Sequence, residues 1–171
     1  MIEAENTTKW YIFYCRSRSE KKVLQVLQEE GYTVCLPLVK EMRQWSDRKK
    51  KVIVPLIRGY VFVYCDIPQI YKVIQLPNIV TVLKMCGSYA FLHQREIDLL
   101  NKIVDNDIPA TSHSVSIKKG EKVRVINGPL TGQEGVCFYD SGNKYLVVSI
   151  EAIGKELKLK VLSSDVEVVK G

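Results

Sequence analysis

The chain has 171 residues, 46% of them hydrophobic, which suffices for one domain or two small ones with buried cores. Its formal net charge of +6 favours a polyanionic partner, nucleic acid or an acidic protein surface, although solubility alone accounts for a charge this modest. No basic-then-apolar leader and no apolar run of ~18 residues stands in the sequence, so a membrane span is excluded and a cytoplasmic protein without membrane contact is expected.

After the polar leader of residues 1–8, Trp10-Tyr11-Ile12-Phe13-Tyr14-Cys15 reads as an aromatic strand that stops at Arg16-Ser17-Arg18. Ser17 and Glu20 have the spacing of a capping box, in which the hydroxyl takes a free backbone N–H and the carboxylate reaches back, so a helix is predicted to start there. Val23, Leu24, Val26 and Leu27 supply its apolar stripe, and Gly31 is placed to end it in a left-handed conformation. Residues 32–38 return as a strand. From 39 to 51 charge replaces apolar periodicity, with Lys40, Arg43, Arg48, Lys49, Lys50 and Lys51 surrounding Trp45. This is a long hairpin tip, either a solvated loop or a basic arm whose aromatic stacks on an exposed base.

Residues 55–65 form the next strand. Tyr60, Phe62 and Tyr64 point to one face and Val61, Val63 and Cys65 to the other, because strand side chains alternate. With both faces apolar, the strand is either central core or the carrier of an aromatic surface for a partner. Asp66 caps a short helix with Pro68 in its first turn and Ile70, Val73 and Ile74 on one side; Leu76-Pro77 ends it. Residues 79–84 are a strand, 85–90 a loop, and 93–104 a helix with Ile97, Leu100 and Val104 inward. The antiparallel hairpin and the absence of a strand-helix-strand rhythm predict an α+β domain, one four-stranded sheet with flanking helices.

Residues 105–116 gain turn formers and lose periodicity, as a linker does. Beyond them, residues 123–126, 135–139, 145–150, 156–161 and 166–169 are five short strands separated by turns such as Asn127-Gly128-Pro129. About fifty residues of this kind predict a small β-barrel, since closure removes open edges. The repeated valines and glycine turns favour strand over helix. The expected domains are therefore 1–104, a linker at 105–116, and 117–171.

Cys15, Cys35, Cys65, Cys86 and Cys137 lack metal-ligand spacing and read as reduced, mostly buried small hydrophobes. His93 and His113 are isolated, with no carboxylate and nucleophile nearby in sequence. No catalytic residue, metal site or cofactor is expected, and the chain reads as a non-enzyme.

Two separated stretches carry a family resemblance. Lys122-Val-Arg-Val-Ile-Asn-Gly-Pro-Leu-Thr-Gly-Gln-Glu-Gly135 resembles the KOW motif, and Trp10-Tyr11 together with Arg58-Gly59-Tyr60-Val61-Phe62-Val63 resembles the NGN domain of the NusG family of transcription elongation factors. The opening strand and Arg58-Gly59-Tyr60 are more similar to specialised paralogues of the UpxY, LoaP or RfaH kind than to the housekeeping factor. The resemblance implies a monomeric factor whose NGN domain binds the clamp helices of the largest RNA polymerase subunit, suppresses pausing or termination, and acts on particular operons such as surface-polysaccharide clusters. It further implies a polymerase-facing patch of Tyr14, Ile57, Tyr60 and Phe62. Arg16, Arg18, Lys21, Lys22, Arg43, Trp45, Arg48, Lys49, Lys50 and Lys51 would then meet non-template DNA or nascent RNA. Leu130 and Ile153 would either meet Rho or a small-subunit ribosomal protein, or simply fill the barrel core. A KOW-type RNA-binding protein of ribosome assembly or translation is the competing function.

Overall fold

Residues 8–114 and 120–170 are described by the computed structural model. The expected leader up to residue 7, the end of the expected linker and the first residues of the expected barrel domain lie outside them. In chain order the elements are β1 (Lys9–Cys15), α1 (Glu20–Glu29), β2 (Thr33–Cys35), β3 (Leu38–Gln44), β4 (Lys49–Pro55), β5 (Tyr60–Cys65), α2 (Ile67–Ile74) and β6 (Ile79–Val82). There follow β7 (Lys84–Met85), β8 (Ser88–Tyr89), β9 (Phe91–Leu92), α3 (Gln94–Asp105), β10 (Ala110–His113), β11 (Glu121–Val125), β12 (Glu134–Asp140), β13 (Asn143–Ile150), β14 (Lys155–Val161) and β15 (Val166–Val168). The architecture is the mixed α+β one that the sequence predicts, except that β9 adds a fifth strand to the expected four-stranded sheet; two residues long, it is too short to show a pattern in the sequence. Two compact units are formed, one from the chain up to Leu38 with Ile57–Ile97, the other from Val39–Leu56 with the chain from Asp98 onward.

The first unit is organised by β1 and β5, antiparallel neighbours at the middle of a sheet ordered β2-β5-β1-β6, with β9 also pairing with β1. Their alternating side chains fill both faces. On one face Tyr11, Phe13, Cys15, Val61, Val63 and Cys65 join Val23 and Leu27 of α1 and Ile70 and Val73 of α2 in a single core cluster. On the other, Ile12 and Phe62 stand opposite each other and both are sealed from solvent. Burying an apolar side chain of this size contributes about 1.5–3 kcal/mol, so with both faces covered this sheet is the centre of the unit's core.

The helix ends follow their sequence signals except at one point. α1 ends in a Schellman arrangement: Gly31, at φ +83°, donates to the Gln28 carbonyl and Tyr32 N–H donates to that of Leu27. At α2 the Asp66 carboxylate accepts from Gln69 N–H at 2.9 Å and the Gln69 side chain accepts from Asp66 N–H at 2.9 Å, a complete capping box. The box expected from Ser17 and Glu20 is not made. Arg18 takes φ +62°, Ser19 becomes the N-cap without a side-chain bond, and Glu20 turns into the protein instead.

In the second unit the barrel strands form one antiparallel sheet ordered β10-β14-β13-β12-β11-β15. Val123, Val125, Cys137, Leu146, Val148, Ile150, Leu157 and Leu159 are buried, which is the period-two inner face. β10 corrects the reading of residues 105–116 as irregular throughout: Ala110–His113 pairs with β14, from Ala110 opposite Leu159 to His113 opposite Glu156. A four-residue edge strand made of Ala, Thr, Ser and His needs only backbone pairing, so it carries no apolar alternation to be seen in the sequence. β3 and β4 form a separate two-stranded ribbon closed by the Trp45 N–H to Arg48 carbonyl bond of 2.8 Å. Its base is tied within the same unit by the Lys40–Asp107 ion pair at 3.2 Å and by Ser112 Oγ donating to the Leu56 carbonyl at 2.8 Å. The segment expected as the loop 85–90 contains the short β7–β8 hairpin.

Candidate functional site

The β1–β5 register decides which aromatics can meet a partner. Trp10 faces Tyr64, Ile12 faces Phe62 and Tyr14 faces Tyr60, all on one side of the sheet. The middle pair is sealed and the two end pairs emerge. Tyr14 and Tyr60 have ring centroids 5.6 Å apart at 60°, a tilted aromatic pair, and Tyr14 is 43% exposed while Tyr60 is half-buried. At the other end Trp10 and Tyr64 lie 5.2 Å apart, with Trp10 Nε1 donating to Gln94 Oε1 at 2.9 Å.

The expected four-residue patch is therefore corrected. Phe62 is 0% exposed and Ile57 is 1% exposed, so both belong to the core and neither can touch a partner. The period-two rule places Phe62 on the right face but cannot say how far a covering layer extends along the strand. Sequence reasoning also passed over Tyr64, an exposed ring on that same face, although its alternation with Tyr60 and Phe62 gave the signal.

What holds the tyrosine pair is the turn before β5. Gly59 has φ +84°, open to glycine at little cost, and a Cβ there would stand 3.1 Å from Tyr14 Cε2, so the tyrosine ring packs directly on this backbone. The Gly59 carbonyl accepts from Cys15 N–H at 2.9 Å, and Gly59 N–H donates to Glu20 Oε1 at 2.9 Å.

Arg16 and Arg18 are exposed in the link from β1 to α1, and Lys21 and Lys22 are exposed in the first turn of α1. They stand just beyond the strand end that carries Tyr14. Arg43, Trp45, Arg48, Lys49, Lys50 and Lys51 are all exposed on the β3–β4 ribbon, with Lys50 Nζ 5.7 Å from the Trp45 ring centroid and Arg43 paired with Glu41 at 3.4 Å. The ribbon thus presents cations and one aromatic on a two-stranded support. In the barrel, Leu130 and Ile153 are both buried, which corrects their reading as partner contacts in favour of core filling. Leu130 forms part of the wall of a 260 Å³ apolar cleft shared with Ile108, Pro109, Val125, Pro129 and Leu162.

Burial raises the thiols: Cys35 and Cys65 are pushed to about 12, and Cys15 to about 11, in its case helped by the nearby Glu20 carboxylate. These are inert core groups, and Cys86 is the exposed one of the five. Among the described residues no group of three His, Cys, Asp or Glu side chains is placed to hold a metal ion.

Residues 8–101, more than half of the chain, match the family model described as "Transcription termination factor nusG". The chain belongs to the NusG family. The family model's own description is that of a transcription factor. NusG of Thermotoga maritima, from a structure of its domain interaction, is similar in fold at a TM-score of 0.58 and 22% identity, covering 96% of this chain and 98% of that one. A structure of the MjSpt4:Spt5 complex covers 94% of this chain and 97% of its own at 17% identity and a TM-score of 0.30. No curated protein matches the chain. Among the described residues no helix is long and apolar enough to cross a membrane.

Proposed function

We propose that this NusG-family chain is an elongation and antitermination factor whose NGN-like domain, residues 1–104, binds the clamp helices of the largest RNA polymerase subunit. The observation that carries the reading is the Tyr14–Tyr60 pair: two large rings, side by side on the two central paired strands of the unit's main sheet, with one of them 43% exposed. Rings fixed on strands desolvate a large area at low entropic cost, which is what a protein hot spot requires. A factor that prefers the closed clamp by only ~1.4 kcal/mol shifts the balance between pausing and elongation tenfold.

The exposed cations Arg16, Arg18, Lys21 and Lys22, and those of the β3–β4 ribbon with Trp45, make the proposed contact with non-template DNA or nascent RNA. The KOW domain, residues 117–171, meets Rho or a small-subunit ribosomal protein in this reading. Because Leu130 and Ile153 are buried, that contact falls on the cleft rim at Pro129 and Leu162. The similarity of Trp10–Cys15 and Arg58-Gly59-Tyr60 to the specialised paralogues supports an operon-restricted factor of the UpxY, LoaP or RfaH kind, acting on clusters such as those for surface polysaccharides.

Single-round transcription on a template with one defined pause tests the function. Added protein should shorten the pause, and the Tyr14→Ala/Tyr60→Ala variant should not. An unchanged pause with wild-type protein at saturating concentration would refute it.

A further inference from the structure

We propose that Glu20 is a positioning residue that sets the Tyr14–Tyr60 pair for its partner; this rests on the polymerase-binding reading above. Glu20 is the buried charged residue among those described, 6% exposed. A carboxylate is withdrawn from water only at considerable cost, and it persists where fixed donors replace the solvent. The donor here is a backbone group, Gly59 N–H, 2.9 Å from Oε1.

That single bond closes a short circuit through the site. Gly59 is gripped at both its polar atoms: its N–H by Glu20 from the first turn of α1, and its carbonyl by Cys15 N–H at the end of β1, with Cys15 Sγ 3.5 Å away as a weaker second donor. Tyr14 precedes Cys15 in sequence and Tyr60 follows Gly59, so the two gripped residues are the immediate neighbours of the two rings. The Tyr14 ring also rests against Gly59 itself. Glycine at φ +84° has little conformational preference of its own, so what keeps this turn in one state must come from outside it. The Glu20 side chain, reaching from the first turn of α1, supplies that outside hold through an acceptor oxygen at the right distance.

The sequence signal supports the assignment by its failure. Glu20 stands where a capping box would use it locally, and the fold directs it to a turn 39 residues away instead.

The test is a binding titration of the whole protein against an isolated clamp-helix coiled coil of the polymerase largest subunit. It compares wild type with Glu20→Gln, Glu20→Asp, Glu20→Ala and Tyr14→Ala/Tyr60→Ala. Glutamine keeps an acceptor oxygen at the same reach and should bind within about threefold of wild type. Aspartate keeps the charge but falls one methylene short, and should bind at least about tenfold more weakly, as should alanine. Each variant is checked for folding by Trp10 fluorescence in a Trp45→Phe background, and the Gly59 amide proton resonance is followed as the direct signature of the bond. It should stay shifted in Glu20→Gln and move in Glu20→Asp. Wild-type affinity in folded Glu20→Asp and Glu20→Ala, alongside abolished binding in the tyrosine variant, would overturn the positioning role alone. Wild-type affinity in the tyrosine variant would overturn the polymerase-facing reading and the positioning role with it.

Discussion

Replacing Phe62 by alanine separates core from contact surface more sharply than any other change in the β5 strand. The side chain is 0% exposed, stands opposite the equally sealed Ile12 on β1, and is flanked on β2 by Cys35. With paired strands on both sides, the site cannot collapse far, so the loss falls in the usual range for a buried aromatic, about 3–5 kcal/mol. At 1.4 kcal/mol per tenfold, that is roughly two to three and a half powers of ten in the folding equilibrium. Tyr60→Ala removes a half-buried ring paired with that of Tyr14, and should cost less than Phe62→Ala: about 0.5–1.5 kcal/mol for the pair plus the smaller area that the ring buries. The assay is urea unfolding followed by Trp10 fluorescence in a Trp45→Phe background, so that the signal reports the first unit and not the ribbon. A Phe62→Ala cost below about 1 kcal/mol, or equal costs for the two variants, would show that Phe62 is not sealed and would reopen the four-residue patch.

Further outcomes are expected elsewhere in the molecule. Changing Lys49, Lys50 and Lys51 to Gln should weaken nucleic-acid binding and flatten its log–log salt dependence by about 0.7–0.9 for each phosphate no longer neutralised; an unchanged slope would assign the ribbon to solvation. Gly135→Ala should destabilise the barrel unit by about 1–3 kcal/mol in thermal melts, since its Cβ would run into the Val147 carbonyl of the neighbouring strand. Removing the α2 cap by Asp66→Ala should cost about 1 kcal/mol of the first unit's stability in the same urea assay. At pH 8 a disulfide reagent should label Cys86 rapidly and the buried thiols slowly. Because Cys35 and Cys65 sit near 12 in the folded chain and near 9 when unfolded, stability should fall as pH rises above about 9, where only the unfolded thiols ionise.

The sequence was most legible where a local rule has one solution. Gly31 ends α1 and Asp66 starts α2 as their types demand, and on β11 the buried Val123 and Val125 alternate with exposed neighbours. It was least legible where burial depends on how far a distant layer reaches. Phe62 and Tyr60 lie on one face with the same spacing logic, yet one is sealed and the other only half-buried. Leu130 and Ile153 likewise sit near turns, where exposure is the usual expectation, and are drawn in by the small barrel's need for apolar filling. Glu20 misled for the converse reason: its local use as a capping carboxylate gave way to a stronger demand from Gly59, and no window of sequence contains both residues. β10 escaped because an edge strand can be held by backbone bonds alone.

A photo-crosslinking residue in place of Tyr60, in otherwise native protein added to elongating polymerase, would show which molecule covers the tyrosine pair. One dominant adduct is expected, to the largest polymerase subunit and within its clamp helices, and it should disappear when unmodified wild-type protein competes. Adducts confined to nucleic acid, to ribosomal proteins or to this chain itself would contradict it.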